Sequence, residues 1–539
     1  MKTGKTVKVL LTAATAAGML AGCGSKTDTD TFRFASELDI QGMDSTVVDD
    51  GMSFNAIHAI TDGLTAVNEK GKTAPAIAKS WDVSDDGKTY TFHLRDAKWT
   101  NGDKVTANDF VYSWRKIIKD AGNYAYMLGS GGASVKNADA LMELGANATD
   151  EQMATLGVTA KDDQTLVVEL ENKVPYFTDL MAFPCYFPQN EKFVEKCGKN
   201  YGTKPEYTLS NGAYTMTKWI KGNKATFTKN DKYYDAKAVK TKNLEMFLVQ
   251  DPKTAAQNFD NGKVDYATIN STLVDKYKGK DTFTTFNEGY LFYLQVNFKN
   301  NTVANKNVRE ALAYAINRKD LCENVLKDGS MAATGFVPSQ LSKSPAGKDF
   351  RDDADKYVSY DQKKAQEYLD AAKKELGTDT ITIDLLYGTD ESPMDTMAEY
   401  LQGSFSKLKG LKVNMVATVK KDRIYNREAN GNFQVVCTRW GPDYADPTTY
   451  LNLALTDNSN NYGKYANAKF DALMEQIQKE SDLTKRWDLM IQAEKVMMED
   501  MAYIPVFEKG SAALKAKNVK GLVVVPVGTP YTFKYVKLK

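Results

Sequence analysis

A nucleophile needs a base beside it, and this chain has only His58 and His93 for that role. Neither comes with a Gly-x-Ser-x-Gly elbow, the turn that lifts a reactive serine above an α/β sheet. The cysteines are Cys23, Cys185, Cys197, Cys322 and Cys437, and their spacings match no zinc pattern. Cys185 and Cys197 either pair outside the cell or remain free thiols. Asp49-Asp50 and Asp352-Asp353 are adjacent carboxylates that read as solvated. Gly129-Ser130-Gly131-Gly132 reads as a flexible loop by composition. Transition metals favour imidazole and mixed N/O sites, and two histidines supply little of that. The residues offer no recognisable catalytic or metal motif.

The N-terminus says where the chain is sent. Lys2, Lys5 and Lys8 form a basic start, and Val7 to Ala21 is apolar apart from Lys8, Thr12 and Thr15. This run is shorter than the ~20 residues needed to span a bilayer, so it reads as a cleaved export signal. It stops at Leu20-Ala21-Gly22-Cys23, which resembles the lipobox of bacterial lipoproteins. That resemblance implies that Cys23 is diacylated, becomes the new N-terminus and tethers the chain to a membrane. Gly24 to Asp30 is small and polar and reads as the tether.

The full sequence has 539 residues with 70 Lys+Arg and 69 Asp+Glu. Loss of residues 1–22 removes three lysines and leaves a near-neutral protein, which argues against a nucleic-acid partner. The length exceeds one ordinary core and predicts two or three domains. Hydrophobic residues at 42% with 11% aromatics fit a folded chain. The 29 tyrosines suit a surface or cleft that is both apolar and hydrogen-bonding.

Several elements can be read from periodicity. Thr89 to Arg95 alternates, so Tyr90, Phe92 and Leu94 share a strand face; Asp85 to Lys88 before it is a turn signal. Thr106 opens a helix carrying Phe110, Val111, Trp114, Ile117 and Ile118. Thr165 to Glu171 is another short strand. Asn211 to Tyr214 begins a strand-rich region, with alternation again near 225–229. Asn307 to Leu321 reads as a helix with Val308, Ala311, Leu312, Ala315 and Ile316 on one face, capped by Asn307 with Glu310 three residues on. Ile381–Tyr387 and Leu411–Val419 are strands around a helix from about Asp395 to Leu408, an order that implies a parallel pair.

Four ordered segments together resemble the peptide-binding extracellular solute receptors of ABC importers. The first is Ala78-Lys-Ser-Trp81 through Arg95, with Trp99-Thr-Asn-Gly102 and Thr106 to Phe110. The others are Ser210-Asn211-Gly212-Ala213-Tyr214, Val308-Arg309-Glu310-Ala311-Leu312 through Arg318, and Trp440-Gly-Pro-Asp443-Tyr444 with Asp446-Pro447. The matches cover roughly residues 32 to 510. The resemblance implies an α/β, bilobal periplasmic-binding-protein fold with an extra accessory domain and lobes joined by two crossover strands near 290 and 507. By the same resemblance, 1–22 is the signal peptide and 23–30 the tether. Lobe I is 31–68, 201–290 and 508–539, the accessory domain 69–200, and lobe II 291–507.

The family also implies site residues. Asp443 matches the carboxylate that holds the peptide's α-ammonium, a charge-assisted contact. Arg439, Trp440 and Gly441 match a strand that lends backbone groups to the ligand, the strand-addition mode of peptide recognition. The loop Asp50 to Phe54, with Gly51 and Ser53, matches backbone contact from the other lobe, and Tyr124 and Tyr293 match aromatics near the ligand. Lys421, Glu428 and Cys437 stand where short-peptide relatives have a stacking Trp and two arginines; Arg423, Arg427 and Arg439 are the nearby substitutes. The expectation is a kept amine anchor, changed capture of the peptide's C-terminus and a different preferred length.

The implied function is a lipid-anchored receptor on the extracellular face of a membrane, of Gram-positive type. It captures oligopeptides as a monomer and passes them to ABC permease and ATPase subunits. On the same fold, a receptor for a peptide pheromone, heme or a metal chelate is the alternative. A surface hydrolase would have to use His58 or His93, and a scaffold lipoprotein would lack ligand-induced closure.

Overall fold

The computed structural model describes residues 29–539. The export signal, Cys23 and most of the tether lie outside the described residues.

One 11-stranded sheet runs the length of the molecule. At one end lie Leu411–Thr418, Ile381–Gly388 and Val435–Trp440; at the other lie Tyr266–Ile269, Thr31–Ser36, Asn243–Leu248, Lys224–Lys229 and Tyr214–Ile220, and the short Met331–Ala332 pairs beside Glu508 and Phe507. Two long strands, Phe283–Val296 and Tyr503–Lys515, join the halves. They pair antiparallel twice: Phe283 to Asn287 against Gly510 to Leu514, and Leu291 to Gln295 against Tyr503 to Glu508. The register shifts in between. Gly289 sits in that interruption at φ +81, and a Cβ there would collide with the Pro526 carbonyl oxygen. A left-handed residue in a close-packed crossing requires glycine.

Three large hydrophobic cores lie along the sheet, so the fold is bilobal with an added domain. The second lobe packs residues from Leu291 to Phe507. The first lobe packs Phe32, Ile57, Tyr214, Phe227 and the C-terminal Tyr531, Phe533 and Val536. The third core, from Phe54 to Leu209 plus Tyr444, belongs to the accessory domain. That domain has its own antiparallel sheet, ordered Ala78–Val83, Thr89–Leu94, Thr165–Glu169, Val158–Asp162.

Tyr90, Phe92 and Leu94 are buried while their neighbours are not, as the period-two pattern dictates. Ala107–Lys119 starts at a capping box between Thr106 and Asp109. Its apolar stripe buries Phe110, Trp114, Ile117 and Ile118. Ile381–Gly388 and Leu411–Thr418 pair in parallel around the helix Met394–Phe405.

Some expectations are corrected. The helix read over Asn307 to Leu321 is Lys306–Ala315, and its cap is Asn305, whose side chain accepts from the Val308 N–H. Asn307 instead donates to Glu375 at 2.9 Å. The helix stops early because Arg318 donates to the carbonyls of Ala313 and Ile316 and, across the lobe, of Pro505. Asp50 to Phe54 is not a loop: Gly51–Ile60 is a helix, and Asp50 caps it by accepting the Ser53 N–H at 2.8 Å. Asp50 is therefore a structural cap rather than one of two solvated carboxylates. Gly129 to Gly132 is a tight turn in which a Cβ on Gly132 would collide with the Met127 carbonyl, so glycine serves close approach there.

Candidate binding cleft

The strand Val435–Trp440 is rich in β-branched residues and buried on both faces until it emerges at Arg439 and Trp440. Gly441-Pro442 ends it, and the following loop is fixed from several sides. The Asp443 N–H donates to Thr449 Oγ1 at 3.1 Å. Asp446 accepts from the Thr448 N–H at 3.0 Å and from both Arg486 Nη atoms, at 2.6 and 3.0 Å. Burial disfavours the Asp446 anion, but the Arg486 fork outweighs it and holds the carboxyl below its usual range. Tyr444 stacks on Tyr176 of the accessory domain.

This scaffold aims the Asp443 carboxylate at the other side of the cleft. Burial pushes its pKa up to about 7, and the Tyr126 hydroxyl, donating to it, offsets part of that rise. Among the described residues no Lys or Arg forms an ion pair with it. Tyr126 comes from the accessory domain and is 39% exposed. Tyr124, Tyr126, Cys185 and Tyr290 all have their own ionisation opposed first by burial and then, among other charges, by Asp443. Asp443 lines a cavity of about 330 Å3 with His58, Asp179, Phe183, Gln340 and Pro526 among its walls. The cavity thus draws on both lobes and on the accessory domain.

The expected site residues fall into two groups. Asp443, Gly441 and Tyr124 come together: a Cβ on Gly441 would lie 2.5 Å from the Tyr290 ring, and Tyr124 stands edge-on to Phe54 at 5.1 Å and against Phe183 at 5.3 Å. Arg439 is half-buried, its guanidinium 4.8 Å above the Tyr290 ring. Trp440 packs against the second lobe's core, with its indole N–H buried and unpartnered. Tyr293 lies apart from Asp443, 5% exposed, edge-on to Phe336 at 5.1 Å and Tyr503 at 5.7 Å. Gly51 begins the helix that bears Phe54, and Ser53 is fully buried, its Oγ accepting from the Gln41 N–H at 2.9 Å.

The positions read as departures are also clear. Lys421 is exposed and Cys437 is fully buried beside Leu294. Glu428 is buried against Arg423, which also donates to Glu391 at 2.8 Å and to Thr438 at 2.9 Å. Desolvation raises the Glu428 pKa to about 7 against the pull of Arg423. Cys185, Cys197, Cys322 and Cys437 are free thiols. His58 is buried in the cavity wall, and burial lowers its pKa; His93 pairs with Asp82 at 2.7 Å on the surface. Among the described residues no group of three His, Cys, Asp or Glu is placed to hold a metal ion.

Sequence reasoning missed Tyr126, Tyr290 and Glu391. The tyrosine-rich composition was the only signal for the first two, and Glu391 gave none.

Residues 72–462 match the model of the bacterial extracellular solute-binding proteins, family 5 Middle. The chain is 34% identical to the dipeptide-binding protein of Lactococcus lactis subsp. cremoris (strain MG1363), over 100% of both chains. Among solved structures it is similar to the substrate-binding domain of an oligopeptide ABC transporter from Bacillus anthracis str. Ames, with TM-score 0.78 and 33% identity over 95% of this chain and 99% of that one. It is also similar to Listeria monocytogenes OppA bound to peptide, with TM-score 0.77, 33% identity and the same coverage.

Proposed function

This chain belongs to the bacterial extracellular solute-binding proteins of family 5, and from that premise we propose that it captures oligopeptides between two closing lobes and delivers them to an ABC importer. The observation that carries the reading is the half-buried Asp443 carboxylate, with no ion-pair partner among the described residues, facing the accessory domain's Tyr126. A peptide's α-ammonium supplies the missing charge and three donors. Arg439, Trp440 and Gly441 present the emerging strand edge to the ligand main chain. Tyr124 and Phe54 form the opposite wall, Gly51 and Ser53 border it on the first lobe, and Tyr293 supports the strand from behind. The interrupted pairing at Gly289 is the hinge, and ligand contacts to both sides favour the shut form.

The rest of the reading follows from this one. The protein has no chemistry of its own; ATP is hydrolysed in partner subunits. It divides as 31–68, 201–290 and 508–539 in lobe I, 69–200 in the accessory domain and 291–507 in lobe II. Cys23 carries a lipid that holds the monomer on the outer face of a Gram-positive membrane.

Native mass spectrometry of protein lacking residues 1–23, expressed in cells, tests the reading. Heterogeneous adducts at peptide masses are expected. Clean protein that ignores an added peptide library contradicts it, and a single defined adduct favours a specialised receptor.

A further inference from the structure

The first strand, Thr31–Ser36, starts on a rim of lobe I that is ringed with lysines. Backbone contacts fix which segments meet there. The Asn243 N–H donates to the Asp30 carbonyl at 2.8 Å, and the Lys229 N–H to the Lys242 carbonyl at 2.8 Å. On the other side the Asp265 N–H reaches the Arg33 carbonyl at 2.8 Å, Ala516 reaches Asp265 at 2.9 Å, and Lys515 reaches Thr282 at 2.8 Å. Six neighbouring strands thus begin or end along one line, about 24 Å wide at the usual strand spacing. Thr241 Oγ1 donates to the Val536 carbonyl at 2.7 Å, which brings the C-terminal segment onto the same rim.

The connections along this line carry Lys240, Lys263, Lys280, Lys520 and Lys537, all exposed. None of these five forms an ion pair among the described residues. The nearby carboxylates of Asp30, Asp281 and Asp235 are taken by Lys242, Lys517 and Lys534 at 2.8, 2.7 and 2.8 Å; Asp231 is exposed among them. Lys520 stands directly opposite Lys537 in an antiparallel pair, an arrangement that repels. The processed chain is near neutral overall, so a rim this basic leaves the remaining surface acidic.

We infer that this lysine rim of lobe I is a docking surface for an anionic lipid bilayer. The inference rests on the reading of Cys23 as the lipid anchor and adds an orientation to it. Eight residues lead from Cys23 to Thr31, at most about 28 Å of chain, so the anchored rim stays within that reach of the headgroups. Lysines that come within a Debye length of anionic headgroups are attracted to them. The lipid supplies proximity, and the rim decides which end of the molecule faces the membrane. Gly289 lies about 20 Å along its strand from Phe283 at the rim, so a docked lobe I leaves the hinge and lobe II free to move.

The test is co-sedimentation of the unlipidated protein lacking residues 1–23 with vesicles, at about 0.05 M and about 0.5 M salt. One vesicle is phosphatidylcholine alone, and the other contains about one-third phosphatidylglycerol as the anionic lipid. A rim variant combines Lys240→Gln, Lys263→Gln, Lys280→Gln, Lys520→Gln and Lys537→Gln. A control of equal charge loss combines Lys356→Gln, Lys407→Gln, Lys412→Gln, Lys469→Gln and Lys485→Gln, all exposed in lobe II. Circular dichroism checks that both are folded. At low salt the wild type and the control are expected to bind the anionic vesicles about tenfold more tightly than the neutral ones. The rim variant should lose that preference, and high salt should abolish it in every protein. Equal binding to the two vesicles, or a preference that the rim variant keeps or the control loses to the same extent, overturns the docking surface and leaves the anchor standing. Mass spectrometry of the full chain extracted from membranes reads the anchor separately: Cys23 without lipid overturns the anchor and the docked orientation with it.

Discussion

The rings of Tyr176 and Tyr444 lie parallel, 4.2 Å apart at their centroids and 2° apart in plane, and so tie the accessory domain to the loop that carries Asp443. Stacked aromatic pairs contribute about 1 kcal/mol beyond the area they bury. If the lobes close as proposed, the contact favours the shut form.

Tyr176→Ala is expected to shift that balance. Small-angle scattering of the peptide-free variant should show a larger radius of gyration than wild type, and peptide affinity should fall about fivefold, the equivalent of about 1 kcal/mol. An unchanged radius means the stack does not help to close the lobes.

The raised pKa of Asp443 makes binding proton-linked. With its pKa at about 7 the carboxyl holds a proton below neutrality; a bound ammonium favours the anion and lowers that pKa. Peptide binding should thus release close to one proton below pH 7, and affinity should rise with pH and level off above about 7. Because the native group binds a proton that the unfolded chain releases near 4, the peptide-free protein should lose stability as pH climbs from about 4 to 7. Titrations in buffers of different ionisation enthalpy count the protons, and Asp443→Asn should abolish the release.

Glu391 and Glu428 flank the buried Arg423. Arg423→Met leaves Glu428 without its guanidinium and Glu391 with only Arg439 at 3.5 Å and Lys420 at 4.0 Å, which costs about 3–5 kcal/mol. Urea unfolding should show that loss at pH 8 and a smaller one at pH 5, where the Glu428 carboxyl, raised by burial to about 7, takes up a proton. Equal stability of variant and wild type at pH 8 contradicts the arrangement.

Gly441→Ala should push the Tyr290 ring from its place, since the new Cβ lies 2.5 Å from it. Affinity is expected to drop at least tenfold with little change in melting temperature. Retained affinity shows that Tyr290 yields freely and does not shape the cleft.

Local patterns made part of this architecture legible. The alternation of Tyr90, Phe92 and Leu94 marked a strand, and the strand–helix–strand order from Ile381 to Thr418 marked a parallel pair, because each pattern is contained within its own segment. The helix end at Ala315 was not legible, because the contact that ends it runs from Arg318 to Pro505, distant in sequence. The helix at Gly51 was hidden for a similar reason: Ser53 is buried by the neighbouring Gln41 and Gly42 segment. In the cleft, Asp443 stood out by its motif, but Tyr126 and Glu391 gain meaning only when folding brings them to Asp443 and Arg423. Arg423 looked free in the sequence, and in the fold both of its Nη atoms are taken by Glu428, Thr438 and Glu391.

The amine anchor is the central claim, and a double-mutant cycle tests it most directly: one peptide with a free or an acetylated amine, titrated against wild type and Asp443→Asn. Removing one partner of a buried charge pair costs about 2–5 kcal/mol. Acetylation and Asp443→Asn are each expected to weaken binding at least thirtyfold, and together to weaken it little further. Two losses that multiply independently, or an acetylated peptide that binds as tightly as the free one, would contradict Asp443 as the amine's partner.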